Sequence, residues 1–314
     1  MTSALIIATG RSGSATSFQP LRQVGDITAA ERLILVFQRA GIERVVLVGG
    51  AEQDKLEKQI ARMGAVSLHN PGDDGTEMLD SVKIGLAYLL GKCRRVLITP
   101  VDVPLFTVET VEKLVASRAK LAVPSHGGRA GHPLLLGAGL FDAVLSYKGE
   151  GGLEGAVRAM GAEKHYVEVP DAGVLVDIQK RDDYGDLLRQ NSLRRIHPEL
   201  KLYLGREKNF FGPGPHLLLS LIDETDSLAT ACRQMGISYS KGWKMIENME
   251  KQLGSELVAR SRGGREKGKS EVTALGKALL EGYNAFYKDC HAHMQRAYEK
   301  HFAGLLDGAP PKDG

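Results

Sequence analysis

Apolar and polar positions along the first half of the chain alternate between two rhythms. Ala4 to Ala8 is a short continuous apolar run, followed by a Gly/Ser/Thr-rich loop through Phe18, and Ala29 to Phe37 then carries apolar residues at helical spacing. The same alternation repeats. Arg44–Gly49, Val66–His69 and Arg95–Pro100 read as buried strands, while 51–63 and Glu77–Leu90 read as helices. Lys164–Val169 and Gly173–Asp177 read as two late strands, and Arg181–Leu188 as a closing helix. Repeated βα units with continuous apolar strands predict an α/β fold, with a mostly parallel sheet covered on both faces. In such sheets ligands lie outside the carboxyl ends of the strands.

Beyond residue 188 the pattern changes. Residues 189–198 are polar, carry three arginines and end in proline, which marks a linker between a domain at 1–188 and a second at 199–306. Helical periodicity then covers Pro215–Asp223, Ser227–Met235 and Tyr239–Leu253. Gly236-Ile237-Ser238 between the last two supplies a turn and a polar cap, the pattern of a helix-turn-helix. Because the first turn of a recognition helix enters the major groove, Ser238, Tyr239, Ser240, Lys241 and Lys244 are expected at DNA, with Trp243 and Ile246 in the core. Two short strands, Glu256–Arg260 and Glu271–Thr273, flank a glycine-rich basic loop and read as a wing; Arg260, Arg262 and Arg265 suit phosphate contact. A long helix to Phe302 follows. Its stripe of Leu275, Leu279, Tyr283, Phe286, Cys290, Met294, Ala297 and His301 suggests a dimer seam. The tail, 307–314, is expected to be disordered.

Composition sharpens this division. Net charge is +3, but residues 1–188 carry 21 basic against 23 acidic residues, and 189–314 carry 20 against 15. A polyanion therefore belongs with the second domain. Three distant cysteines, Cys93, Cys232 and Cys290, form neither a disulfide framework nor a zinc pattern. With no signal-peptide pattern and no membrane-length apolar run, the expected location is cytoplasmic, without membrane contact.

Candidate chemistry is concentrated at three places. The opening loop, with Ala8, Thr9, Gly10, Ser12, Ser14 and Gln19, has the strand–loop–helix arrangement that cradles phosphates, although an ordinary βα turn needs glycine just as much. Asp102, in Pro100-Val-Asp-Val-Pro104, sits past a strand end, where a single carboxylate suits Mg²⁺ bound against phosphate oxygens; a turn or cap aspartate is the plainer alternative. Gly131-His132-Pro133 enters another strand from a glycine-rich loop. Its histidines share no spacing with carboxylates or cysteines, which argues against zinc. Two motifs are decoys. Gly263–Ser270 matches the Walker A pattern but follows no buried parallel strand, and Cys290-His291-Ala292-His293 fits helix packing better than metal binding.

Two family resemblances follow. Ile6-Ile-Ala-Thr-Gly10, Gln19-Pro-Leu, Val24-Gly, Ala29-Ala-Glu-Arg-Leu33, Asp102-Val-Pro-Leu, Gly131-His-Pro133 and Gly173-Val-Leu-Val-Asp177-Ile resemble the MobA-like nucleotidyltransferases of molybdenum cofactor maturation, the cytidylyltransferase branch above all. The resemblance implies a Rossmann-like three-layer α/β/α fold. It also implies transfer of a nucleotidyl group from CTP or GTP to molybdopterin, with Mg²⁺ at Asp102 and Asp177 and the cofactor near Gly131, His132 and Pro133. Residues from about Leu200 to Phe302, through Gly236-Ile-Ser-Tyr239, Trp243, Ile246-Glu-Asn-Met249, Gly263-Gly264 and Thr273-Ala-Leu-Gly276, resemble the DNA-binding half of the molybdate-responsive regulator ModE, a LysR-like winged helix.

The opening loop departs from its family. The transferase pattern A-G-x-S-x-R-M-G-x-x-K has an arginine and a lysine where this chain has Ser14 and Gln19. Such cations stabilise charge developing on transferred phosphates, and loss of one costs on the order of a hundredfold in rate. The expectation is a transcription regulator on double-stranded DNA, acting as a homodimer, whose front domain senses a nucleotide or the molybdenum cofactor. An active transferase that also binds DNA, with Arg11 taking the catalytic role beside Asp102, is the alternative; a purely structural front domain is a third.

Overall fold

The computed structural model describes residues 1–9, 19–50, 52–60, 63–72, 78–180, 184–190, 198–260 and 269–306. It forms two compact units, Met1–Arg194 and Arg195–Gly314.

The first unit is built on strands β1 (Thr2–Ala8), β2 (Gln23–Val24), β3 (Ile27–Thr28), β4 (Arg44–Gly49), β5 (Val66–His69), β6 (Arg95–Pro100), β7 (Leu121–His126), β8 (Arg129–Ala130), β9 (Leu134–Gly137) and β10 (His165–Glu168). Its helices are α1 (Ala29–Arg39), α2 (Gln53–Ile60), α3 (Met78–Leu89), α4 (Val108–Ala116), α5 (Phe141–Ser146), α6 (Gly152–Ala159) and α7 (Gly185–Gln190). The main sheet runs β10-β7-β9-β6-β1-β4-β5, with β8 paired to β7. Pairings among β6, β1, β4 and β5 are parallel, as is β10 with β7, whereas β9 runs antiparallel to both β6 and β7.

Strand residues alternate between two buried faces. Ala4, Ile6 and Ala8 join α1 residues such as Leu33 and Phe37 in one cluster. Leu5 points the other way, toward Gly85 of α3, where a Cβ would collide with its side chain. Helices on both faces explain why these strands are apolar throughout. Thr28 starts α1 with a capping box: its hydroxyl accepts from Glu31 N at 3.3 Å, and Glu31 Oε2 accepts from Thr28 N at 2.8 Å. Gly173–Asp177, expected as a strand, instead enters a 3₁₀ turn at Ala172–Leu175. Its backbone is committed to neighbouring loops and has no ladder partner.

The second unit contains the hairpin β11 (Leu204–Gly205) and β12 (Asn209–Phe211), then α8 (Pro213–Thr225), α9 (Leu228–Gln234), α10 (Tyr239–Leu253), the antiparallel pair β13 (Val258–Arg260) and β14 (Ser270–Val272), and α11 (Ala274–Leu306). Ser270 N donates to Asp226 O at 2.8 Å, which ties the wing to the α8–α9 turn. Glu250 Oε1 accepts from Leu257 N (2.8 Å) and Val258 N (3.1 Å), which fixes the wing to α10. At the root of α11, Tyr283 stacks on His216 at 5.0 Å and meets Phe211 edge-on at 5.1 Å, and its hydroxyl donates to Leu202 O at 2.9 Å.

His216 Nε2 is buried without a partner, and burial holds the imidazole below its ordinary pKa, against a raising hydrogen bond from Asn284. The unfolded chain therefore binds the extra proton first. Stability of this unit is expected to fall as pH drops below about 6.5, the ordinary histidine value. Trp243, the sole tryptophan, lies in this unit and reports on it. Denaturant midpoints by tryptophan fluorescence between pH 7.5 and 5.5 should decline, and His216→Phe should flatten that slope.

Candidate functional site

In the first unit, β1, β4, β5 and β6 all deliver their carboxyl ends to one edge. Ala8 is buried at the end of β1, and Thr9 follows it. Thr9 Oγ1 lies 2.7 Å from Ser81 Oγ on α3, and that same oxygen accepts from Asn70 Nδ2 at 2.9 Å. Asn70 Oδ1 in turn accepts from Gly72 N at 3.0 Å. This network ties the exit of β1 to the loop after β5. Thr9 is legible in the local pattern, whereas Ser81 meets it across 72 positions and Asn70 joins only through Ser81. Gly10, Arg11, Ser12 and Ser14 lie outside the described residues. Gln19 opens a 3₁₀ turn through Leu21, and its side chain is likewise outside the description.

Asp102 stands just past β6. Its carbonyl accepts from Ile178 N at 2.8 Å, and Oδ1 of its carboxylate is buried without a partner. The segment that brings Asp177 alongside is anchored by Asp171, whose Oδ2 accepts from Thr107 N (2.8 Å) and Thr110 Oγ1 (2.6 Å), and whose Oδ1 accepts from Gly173 N (2.9 Å). Two glycines permit the close passage: a Cβ at Gly173 would collide with the Leu105 carbonyl, and one at Gly131 with that of Val174. His132 N donates to Val174 O at 2.9 Å, and its Nδ1 is buried with no partner. Pro133, joined to His132 by a cis peptide bond, is buried. The structure thus brings together Asp102, Asp177 and Gly131-His132-Pro133, all named from sequence.

The electrostatics follow from this packing. Burial pushes the Asp102 carboxyl up, and the Asp177 charge adds to the rise; a Gln179 hydrogen bond, Lys180 and Arg22 oppose it. Burial lowers the His132 pKa, against a backbone hydrogen bond at Ile98 and the charge of Asp177. Asp177 Oδ1 accepts from Gln179 N at 2.9 Å, and Oδ2 meets Lys180 Nζ at 2.9 Å. Among the described residues no three His, Cys, Asp or Glu side chains form a metal-binding group. A cation here would depend on two carboxylates plus ligand oxygens, which is the donor set Mg²⁺ takes beside phosphates. The orphaned Asp102 Oδ1 fits that demand.

In the second unit, Ser238 caps α10 by accepting from Lys241 N at 3.2 Å. Tyr239, Ser240, Lys241 and Lys244 are exposed on its opening turns. Gly236 holds the preceding turn at φ +63°, a conformation suited to glycine. Trp243, expected in the core, is half-buried, and its Nε1 donates to Glu247 at 2.8 Å. Gly242 takes the inward place: a Cβ there would collide with Cys232 Sγ of α9, so the two helices meet closely. Ile246 is buried as expected. Arg260 ends β13, its side chain outside the description, and Arg262 and Arg265 lie outside the described residues.

The α11 stripe divides in two. Tyr283 turns inward with Leu280, while Leu275 and Phe286 remain exposed. No helix among the described residues is long and apolar enough to cross a membrane.

A three-layer α/β unit with acidic residues at its strand ends, joined to a winged helix-turn-helix unit, defines a nucleotidyltransferase-type fold combined with a nucleic-acid-binding module. The chain belongs to the family described as MobA-like NTP transferase domain, which matches residues 4–166. Residues 218–277 match the bacterial regulatory helix-turn-helix protein, lysR family. Among solved structures, a nucleotidyl transferase from Methanothermobacter aligns with TM-score 0.53 at 22% identity, over 61% of this chain and 99% of its own. The Rv0371c protein of Mycobacterium tuberculosis aligns with TM-score 0.51 at 20% identity, over 60% and 97%. These likenesses show the fold.

Two curated relatives connect the chain to molybdenum proteins. The transcriptional regulator ModE of Yersinia pestis is 31% identical over 119 residues, 38% of this chain and 42% of its own. The molybdenum-pterin-binding protein MopB of Rhodobacter capsulatus is 32% identical over 68 residues, 22% and 25%. The chain therefore spans less than half the length of each.

Proposed function

We propose that the protein is a molybdenum-related transcription regulator. Its winged helix-turn-helix binds double-stranded DNA, and its nucleotidyltransferase-fold unit senses a phosphate-bearing ligand, CTP, GTP or the molybdenum cofactor. The observation that carries this reading is a retained acidic site, Asp102 and Asp177 beside Gly131-His132-Pro133, in a chain whose loop has Ser14 and Gln19 at its family's two cationic positions. Ala8 and Thr9, with Gly10, Ser12, Ser14 and Gln19, would cradle the phosphates. Asp102, with Asp177, would hold Mg²⁺, which supplies charge neutralisation to phosphate oxygens when bound.

Ser238, Tyr239, Ser240, Lys241 and Lys244 form the DNA-facing turn, and Arg260, Arg262 and Arg265 extend it through the wing. The exposed Leu275 and Phe286 on a 33-residue helix support a homodimer seam, which Leu275→Glu combined with Phe286→Glu should dissolve in sedimentation velocity runs. The test of the sensor reading combines two measurements on one sample. Calorimetry with CTP, GTP and molybdopterin should show binding, and an assay for dinucleotide formation should show none above background. Turnover at ordinary enzyme rates would instead make the protein a transferase that also binds DNA, with Arg11 the first residue to test.

A further inference from the structure

The turn after Asp177 places a cation on one of the two carboxylates that would hold a metal. Lys180 Nζ is 2.9 Å from Asp177 Oδ2, and Gln179 N already occupies Oδ1 at 2.9 Å. The same turn is closed by Lys180 N donating to Asp177 O at 3.1 Å, and it is fastened to the site by Ile178 N on Asp102 O at 2.8 Å. Both carboxylate oxygens of Asp177 are thus engaged from within four consecutive residues. Asp102 Oδ1 and His132 Nδ1 are buried without partners, so neither protein nor solvent fills their hydrogen-bonding capacity.

We propose that Lys180 is a tethered cation at this acidic pair, which competes with a divalent ion for Asp177 and lets the site take a polyphosphate without metal. The argument is one of charge. A triphosphate meets two carboxylates here, and the opening loop has Ser14 and Gln19, not arginine and lysine, at its family's two cationic positions; Arg11, the loop's own cation, lies outside the described residues. Something positive must lie beside the pair for an anion to bind. A metal can do this only by displacing Lys180 from Asp177 Oδ2 or by resting on Asp102 alone. An ammonium on a flexible four-carbon stem can swing from carboxylate to phosphate at little cost, because its side chain is 83% exposed. Arg22, whose charge is felt at Asp102, adds to the same balance.

The proposal rests on the phosphate-ligand reading above, and the experiment separates the two. Full-length wild type and Lys180→Gln are titrated with tripolyphosphate by calorimetry, in EDTA and in excess Mn²⁺, and with Mn²⁺ alone by electron paramagnetic resonance. Wild type is expected to bind tripolyphosphate in EDTA. Lys180→Gln should lose at least tenfold there, regain affinity with Mn²⁺, and bind Mn²⁺ alone several-fold more tightly than wild type. Lys180→Arg should keep binding in EDTA. If wild type binds tripolyphosphate only with Mn²⁺, or if Lys180→Gln leaves both affinities unchanged, the tethered cation is refuted and the sensor reading stands. If wild type binds neither tripolyphosphate nor CTP or GTP under either condition, the phosphate-ligand reading itself falls.

Discussion

Lys241→Glu is expected to weaken binding of the full-length protein to a random-sequence duplex by at least tenfold at low salt. Lys241 stands on the opening turn of α10, exposed, with its own backbone N–H held by the Ser238 cap, so the lysine head is free to follow the groove while its backbone is fixed. Phosphate contacts supply most sequence-independent affinity, and each one contributes about 0.9 to the slope of log K against log salt. Lys241→Ala should therefore reduce that slope by about one contact, and the charge reversal should lower affinity further through repulsion. Lys244, one turn on and also exposed, should behave alike, whereas Lys277, paired with Asp223 at 3.4 Å, should not. Fluorescence anisotropy across a salt series measures both quantities. Equal affinity and an unchanged slope for Lys241→Glu would remove α10 from the DNA surface.

What could be read ahead of the structure was whatever depended on local pattern. The apolar run of β1, the βα alternation and the Gly236 turn all declare themselves within a dozen residues, because side-chain period and glycine placement are local properties. Local pattern fails where a tertiary contact overrides it. Trp243 looked like core because it is large and apolar, yet α9 and α10 approach so closely at Gly242 and Cys232 that only a residue without a side chain fits. The α11 stripe was one face by spacing, but the pull of Phe211 and His216 on Tyr283 turned part of it inward. Gly173–Asp177 has the apolar content of a strand; its backbone instead bonds Asp171 and His132. The acidic site was half legible. Asp102 and Asp177 follow from their position in a family pattern, whereas the Lys180 contact and the Thr9–Ser81–Asn70 network exist only once distant segments meet.

Asp171→Ala should destabilise the first unit severely. The carboxylate accepts three hydrogen bonds, from Thr107 N, Thr110 Oγ1 and Gly173 N, and two of these join segments more than 60 positions apart. A bond to a charged acceptor contributes about 1.5–3 kcal/mol, and removing the acceptor leaves part-buried donors unsatisfied. Allowing for non-additivity among bonds that share one group, the expected loss is about 3–5 kcal/mol. Because a glycine at 173 is required by the Leu105 carbonyl, the loosened strap cannot be re-anchored by side-chain packing at that position. Asp171→Asn should fall between the two, since it keeps an acceptor for Gly173 N but can turn an amide donor toward Thr107 N. The effect must also reach the site: Asp177 rides on this strap six residues later, so Mn²⁺ affinity should drop in both variants in proportion to the loosening. Denaturant melts followed by far-ultraviolet circular dichroism give the stability, and the Trp243 signal from the second unit serves as an internal control. Loss of less than about 1 kcal/mol, within the range of an ordinary surface substitution, would show that Asp171 does not hold the acidic pair together.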